Sequence, residues 1–314
     1  MERLGVKIVA VGGGSGLPVL LRGLKEYTAD ITAVVTVCDD GGSSGRLRRD
    51  MGIVAPGDVR NCIIALADTE PLMEELFAFR FSRGELSGHN VGNLILAALA
   101  EMRGDFKTAI AELSQVLRVR GKVMPSTLES RTLCAKLKDG EIVRGETLVG
   151  ASVGIERVFL DRPAQPLPEV VKAILDADAV VLGPGSLYTS VMPNLVVEGI
   201  ARALRETGAT RIYVCNIMTE YGETSGYTAS QHVKAILDHC GPVVDHVILN
   251  TESLPEPLAV KYSLERAMQV KIDAREVEEL GVTVWAEPLL EVTGDVARHD
   301  SDALARLVLR ILGG

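Results

Sequence analysis

Two adjacent carboxylates, Asp39 and Asp40, stand directly before Gly41-Gly42-Ser43-Ser44-Gly45 and three arginines, Arg46, Arg48 and Arg49. Paired acids can hold ribose hydroxyls or a magnesium ion, and a glycine/serine loop can bend freely and turn backbone N–H groups toward an anion. The same stretch, Val37 to Asp68, runs on to Pro56-Gly57-Asp58, which reads as a helix start with Asp58 as its N-cap and Arg60 and Asn61 in the first turn. One loop of this kind with charges around it is usually a solvated surface segment. This chain repeats the arrangement.

Gly12 is followed by Gly13, Gly14, Ser15 and Gly16, a turn suited to close approach of a phosphate. Ser87 to Asn93 brings His89, Asn90 and Asn93 to another helix start, where capping explains one asparagine and not the whole group. A third glycine turn, Gly183-Pro184-Gly185, carries the hydroxyls of Ser186, Thr189 and Ser190, and Asn216 follows a later strand. Amides, hydroxyls, asparagines and arginines with two acids suit a phosphorylated nucleoside. The first turn is not a dinucleotide fingerprint, because GxGxxG from Gly12 would need glycine where Leu17 stands. Walker and HExxH patterns are absent too, so no catalytic constellation and no metal-ligand set is expected.

These loops need strands and helices to bring them together. Apolar runs at Val6–Val11, Ile31–Val37, Ala179–Leu182, Arg211–Cys215, His246–Leu249 and Val282–Trp285 read as strands, several ending in the polar loops above. Helices are expected after Gly16, after Gly57, at Leu94–Leu99 with Leu94, Ile95, Ala98 and Leu99 inward, and at Ser301–Leu312 with Ser301 as cap. The segment around Tyr262 is ambiguous, and Arg298 and His299 before the last helix suit phosphate or solvent equally. This alternation predicts an α/β, Rossmann-like three-layer fold with a mostly parallel sheet, a single domain over residues 1–314, and a small β-rich insertion at about 116–150 with Asp139-Gly140 as a hairpin turn. In an open parallel sheet the strand ends share one edge, so the loops would converge on one crevice.

With 314 residues, 47% of them hydrophobic, the chain can bury a sizeable core, and a net charge of −9 argues against nucleic acid and anionic membrane as partners. Five scattered cysteines without a CxxC pair read as reduced thiols. Met1 to Gly5 is too short a lead for a signal peptide, and no apolar run has membrane-spanning length, so a cytoplasmic protein without membrane insertion is expected.

The stretches GGGSGLPVLLRGLK at 12–25, VCDDGGSSGRLRRDMGIVAPGDVRNCIIALA at 37–67, SGHNVGNLILAAL at 87–99 and GPGSLYTSVMPNL at 183–195 resemble the gluconeogenesis factor (YvcK) family, within the CofD-like group that includes 2-phospho-L-lactate transferase. The resemblance spans nearly the whole chain. It implies a regulatory protein that binds UDP-sugars such as UDP-N-acetylglucosamine, and also NAD(P), and that supports cell shape and wall synthesis during gluconeogenic growth, with cell-wall synthesis regulators or a second copy as partners. It also implies Tyr262 and Arg298 as ligand contacts, for base stacking and for pyrophosphate. The alternative it carries is a nucleotide-dependent transferase using Mg2+. Here Pro56 to Asn61 replaces that branch's acidic run, which counts against the alternative. An NAD(P)-dependent enzyme is the third reading, disfavoured by Leu17.

Overall fold

The computed structural model describes residues 5–313. Residues 1–4, part of the Met1–Gly5 lead on which the signal-peptide reading rests, lie outside them. Seven strands form one parallel sheet: β1 (Ile8–Gly12), β2 (Ile31–Val35), β3 (Lys122–Pro125), β7 (Ala179–Leu182), β8 (Thr210–Val214), β9 (His246–Asn250) and β10 (Thr283–Glu287), in the spatial order 3-2-1-7-8-9-10. Chain order runs outward in both directions from the β1–β7 pair, so the topological switch falls between them. The runs that looked continuously apolar are buried on both faces, as a parallel sheet requires: every residue of β1 and β7 is buried.

Alternate strand residues feed two cores. Ile8, Ala10 and Val35 pack with α1 (Leu17–Leu24), α3 (Gly57–Leu66), α5 (Val91–Arg103), α6 (Phe106–Val116) and the last helix, Ser301–Gly313. Val9, Val11 and Leu182 pack on the other side with helices 168–175, 200–206 and 229–240 and a small antiparallel sheet. That sheet holds β4 (Leu133–Leu137), β5 (Ile142–Arg144) and β6 (Ile155–Leu160), with a short helix α7 (Glu146–Gly150) between the last two. The expected β-rich stretch at 116–150 thus divides. Its first strand, β3, joins the main sheet, and the hairpin at Asp139-Gly140 forms as read, with Gly140 at φ 91°.

Three local readings change. The stretch Gly42–Met51 is a helix, α2, and not a glycine/serine loop: burial of Ser43, Ser44, Gly45 and Leu47 outweighs the poor helix propensity of the sequence. In α5 the buried stripe is Gly92, Asn93, Leu96, Ala97 and Ala100, because an almost wholly apolar run leaves the inward face to packing. The last helix is capped by Asp300, whose Oδ1 accepts the N–H groups of Asp302 and Ala303 at 2.9 Å each, in place of Ser301. Tyr262 lies on a helix, Glu256–Leu264, and β11 (Leu290–Thr293) pairs with β12 (Val296–His299) in a hairpin that carries Arg298. A short helix α4 (Pro71–Ala78) precedes Arg80. All five cysteines are free and buried, and among the described residues no helix is long and apolar enough to cross a membrane.

Candidate functional site

The turns after β1 and β7 touch each other through backbone. A Cβ on Gly16 would lie 2.5 Å from the Pro184 carbonyl oxygen, and one on Gly13 would lie 2.5 Å from Thr36 Cγ2 and 2.6 Å from Asp58 Oδ2. Gly14 is held at φ 61° and Gly185 at φ 153°. Asn194, buried, fastens the pair: its Nδ2 donates to the carbonyls of Gly12 at 3.0 Å and Ser190 at 2.8 Å. The amides of Ser15 and Gly16, at the start of α1, donate to no acceptor among the described residues and are free for an anion.

Above these turns lies a cleft of about 410 Å³ lined by Gly14, Ser15, Gly16, Gly185, Ser186, Ser190, Asn216, Glu220, Tyr262 and Arg298, among others. Asn216 Oδ1 accepts the Gly185 N–H at 3.1 Å while its Nδ2 donates to Glu220 Oε1 at 3.0 Å, and Ser186 Oγ donates to Glu220 Oε2 at 2.7 Å. Tyr262 is oriented by the Ala297 N–H, which donates to its hydroxyl at 3.0 Å, and Arg298 donates to the Ser15 carbonyl at 3.3 Å. His299 sits buried beneath, and burial pushes its imidazole down to about 4, so it is neutral at physiological pH. Thr189 is not in this cleft: it is buried with its methyl facing Gly150.

The stretch from Asp39 to Asn61 forms a neighbouring polar cavity of about 270 Å³, lined in part by Asp39, Ser43, Ser44, Asp58, Arg60, Asn61 and Asn93. The two leading acids separate. Asp39 Oδ1 accepts the Gly41 N–H at 2.8 Å and its second oxygen borders the cavity beside Gly57. Asp40 turns away, its carboxylate accepting the N–H groups of Glu146 at 3.0 Å and Thr147 at 3.1 Å and the Thr147 hydroxyl at 2.8 Å, so it braces α7. Asp58 is not the cap of α3, where Pro56 holds that position; its Oδ2 reaches across to accept the Gly14 N–H at 2.8 Å. Of the two asparagines at this helix start, one of them an expected cap, Asn90 caps α5, its side chain accepting the Asn93 N–H at 3.0 Å. His89 meets Ser43 Oγ at 3.3 Å, and Arg46 is tied to the Ser87 carbonyl at 2.8 Å, which joins the loop before α5 to α2.

Burial pushes the Asp58 carboxyl from its ordinary 3.8 up to about 6, with the nearby charge of Asp39 adding to it and the Gly14 amide and Arg60 opposing. Burial also lowers Arg60 to about 10, with Arg80 next among the causes. Glu146 is raised to about 8 by burial and then by the charges of Asp39, Asp40 and Asp58; Glu223 is raised by burial and by Glu220. No three His, Cys, Asp or Glu side chains among the described residues are grouped to hold a metal ion. A magnesium ion arriving on phosphates needs only one or two protein carboxylates, which Asp39 and Asp58 can supply.

Sequence reasoning passed over Arg80, Glu146, Glu220 and Asn194. The spacing of Asn216 and Glu220, four residues apart at the end of a strand, is the one signal that could have found any of them.

Against known proteins, the family model described as 2-phospho-L-lactate transferase CofD matches residues 8–290. A gluconeogenesis factor of Halalkalibacterium halodurans is 48% identical over 306 residues, covering 96% of this chain and 95% of the relative. One of Bacillus subtilis is 48% identical over 311 residues, 98% of each. The crystal structure of a UPF0052 family protein from Bacillus halodurans superposes with a TM-score of 0.94 at 47% identity, covering 97% of this chain and 99% of that one.

Proposed function

The chain belongs to the CofD family, among the proteins named gluconeogenesis factors, and we propose that it is a regulatory protein that binds a nucleotide sugar of the UDP-N-acetylglucosamine type. The observation that carries this reading is the contact of the two glycine turns beneath Tyr262 and Arg298, with the Ser15 and Gly16 amides open at the start of α1. Pyrophosphate rests on those amides and on the Arg298 guanidinium, and the base stacks on Tyr262. Ser186, Asn216 and Glu220 offer hydrogen-bonding partners for ribose or sugar hydroxyls. Its place is the cytoplasm, and its output is control of cell shape and wall synthesis during gluconeogenic growth. Calorimetric titration with UDP-N-acetylglucosamine should give saturable one-to-one binding that Tyr262→Ala weakens; absence of heat up to about 10 mM ligand would remove the reading.

A second reading, a nucleotide-dependent transferase, is favoured by one observation: Asp39 and Asp58 border one cavity next to the first glycine turn, where they could hold Mg2+ on the phosphates. Prolonged incubation with nucleotide donors and candidate acceptors, followed by chromatography, tests it. Intact nucleotide throughout, together with retained cellular function in Asp39→Asn, would rule it out.

A further inference from the structure

On the far side of the first glycine turn lies a second cleft of about 450 Å³, which shares Ser15, Val19 and Arg298 with the first. Four arginines line it: Arg22 from α1, Arg60 from α3, Arg80 just after α4, and Arg298 from β12. One carboxylate, Glu291, lines it with them. In a chain of net charge −9, four guanidinium groups against one carboxylate is a local reversal of sign.

None of the four forms an ion pair among the described residues. The hydrogen bonds they make go to neutral oxygens: Arg60 to Asn61 Oδ1 at 2.5 Å and the Phe77 carbonyl at 3.4 Å, Arg80 to the Gly88 carbonyl at 2.6 Å, and Arg298 to the Ser15 carbonyl at 3.3 Å. Arg22 and Arg80 are exposed, while Arg60 and Arg298 are partly buried. Arg60 is clamped. A Cβ on Gly92 would lie 2.6 Å from Arg60 Cδ, so that glycine makes room for the stem of the arginine. Burial and the neighbouring Arg80 charge hold the Arg60 guanidinium below its usual range.

Through Arg60, Asn61 and Arg80 the cleft runs on into the polar cavity at the start of α2, which Asp39 and Asp58 also line, so the surplus of positive charge lies on the arginine side. There the amides of Gly42, Ser43 and Ser44 donate to no acceptor among the described residues. Asn93, 2% exposed, lines this cavity and has an Oδ1 without a partner. Exchanging the oxygen and nitrogen of that amide, which suits Ser44 Oγ equally, would turn a donor to the vacant side.

We propose that this arginine-lined cleft is a second ligand site, which takes a small molecule carrying a phosphate and a second anionic group and holds it beside the nucleotide site. Arg298 is shared with the first cleft, and the other three guanidiniums still exceed what one monoanion neutralises; planar guanidinium groups match phosphate and carboxylate edges with paired hydrogen bonds. The site stands whether or not the first cleft takes a nucleotide, since Arg22 and Arg80 lie outside that cleft.

Phosphoglycolate, with one phosphate and one carboxylate, is a suitable probe for calorimetric titration of the full chain, alone and with UDP-N-acetylglucosamine at saturation. Saturable binding is expected in both cases, weakened at least about tenfold by Arg22→Gln/Arg80→Gln and left in place by Tyr262→Ala. Both arginines are exposed, so their replacement leaves the fold intact, which circular dichroism checks. Three results would overturn the proposal: no binding up to about 10 mM, binding indifferent to the double substitution, or binding abolished by the saturating nucleotide. The last would place the probe in the first cleft. Failure of the nucleotide to bind at all would leave the probe result standing and count only against the nucleotide reading.

Discussion

Replacing Asp58 by Asn tests whether the first glycine turn is held by a carboxylate kept in an unfavourable place. The Asp58 Oδ2 accepts the Gly14 N–H at 2.8 Å, and the amide oxygen of Asn can take over that bond. What the substitution removes is a charge that burial and Asp39 make costly. An acid whose folded pKa is raised binds more protons folded than unfolded, so its stability contribution falls as pH rises from 3.8 to about 6 and stays low above that window. The gap corresponds to about 3 kcal/mol for a wholly shielded carboxylate, and to about 1–2 kcal/mol with the water of the cavity on one side. Urea denaturation of wild type and Asp58→Asn should show the variant more stable by about 1–2 kcal/mol near pH 7.5, the difference narrowing by more than half at about pH 4. A difference that is the same at both pH values, or a variant less stable at the higher one, would show that the Asp58 charge is not the costly element.

Three further outcomes follow from the same geometry. Gly16→Ala drives a methyl group onto the Pro184 carbonyl and should cost about 2–4 kcal/mol while abolishing ligand binding, measured by denaturation and titration together. Asp40→Ala leaves two amides and a hydroxyl at the start of α7 without their acceptor; a loss of about 2–3 kcal/mol and faster hydrogen exchange over residues 146–150 are expected. Glu146, raised from 4.5 to about 8 by burial and its acidic neighbours, loses stability as pH climbs through that interval, so Glu146→Gln should gain about 1–3 kcal/mol above pH 8 and little near pH 5 in thermal melts.

The strands, the glycine turns after β1 and β7 and the meeting of those two turns were legible because each depends on residues adjacent in the chain: an apolar run, then glycine, then a helical stripe. What stayed hidden depends on partners far away. Asp58 looked like a local cap, and only the fold puts it on Gly14, 44 residues earlier. Asp40 looked like the twin of Asp39 until α7, more than a hundred residues on, supplied amides for both its oxygens. Gly42–Met51 was unreadable as a helix from propensity, since Gly-Ser-Ser-Gly forms one here only under burial. Tyr262 and Arg298 came from family resemblance, and the structure places both over the first glycine turn. Arg22 and Arg80 carry no motif at all; they gain meaning only when four arginines are seen to line one cleft.

The most direct test of the central claim is a crystal structure with UDP-N-acetylglucosamine and NAD soaked in competition. The account predicts the nucleotide sugar alone in the first cleft, its pyrophosphate on the Ser15 and Gly16 amides and the Arg298 guanidinium and its uracil against Tyr262. Density for NAD there instead, or for the nucleotide sugar away from both glycine turns, would contradict it.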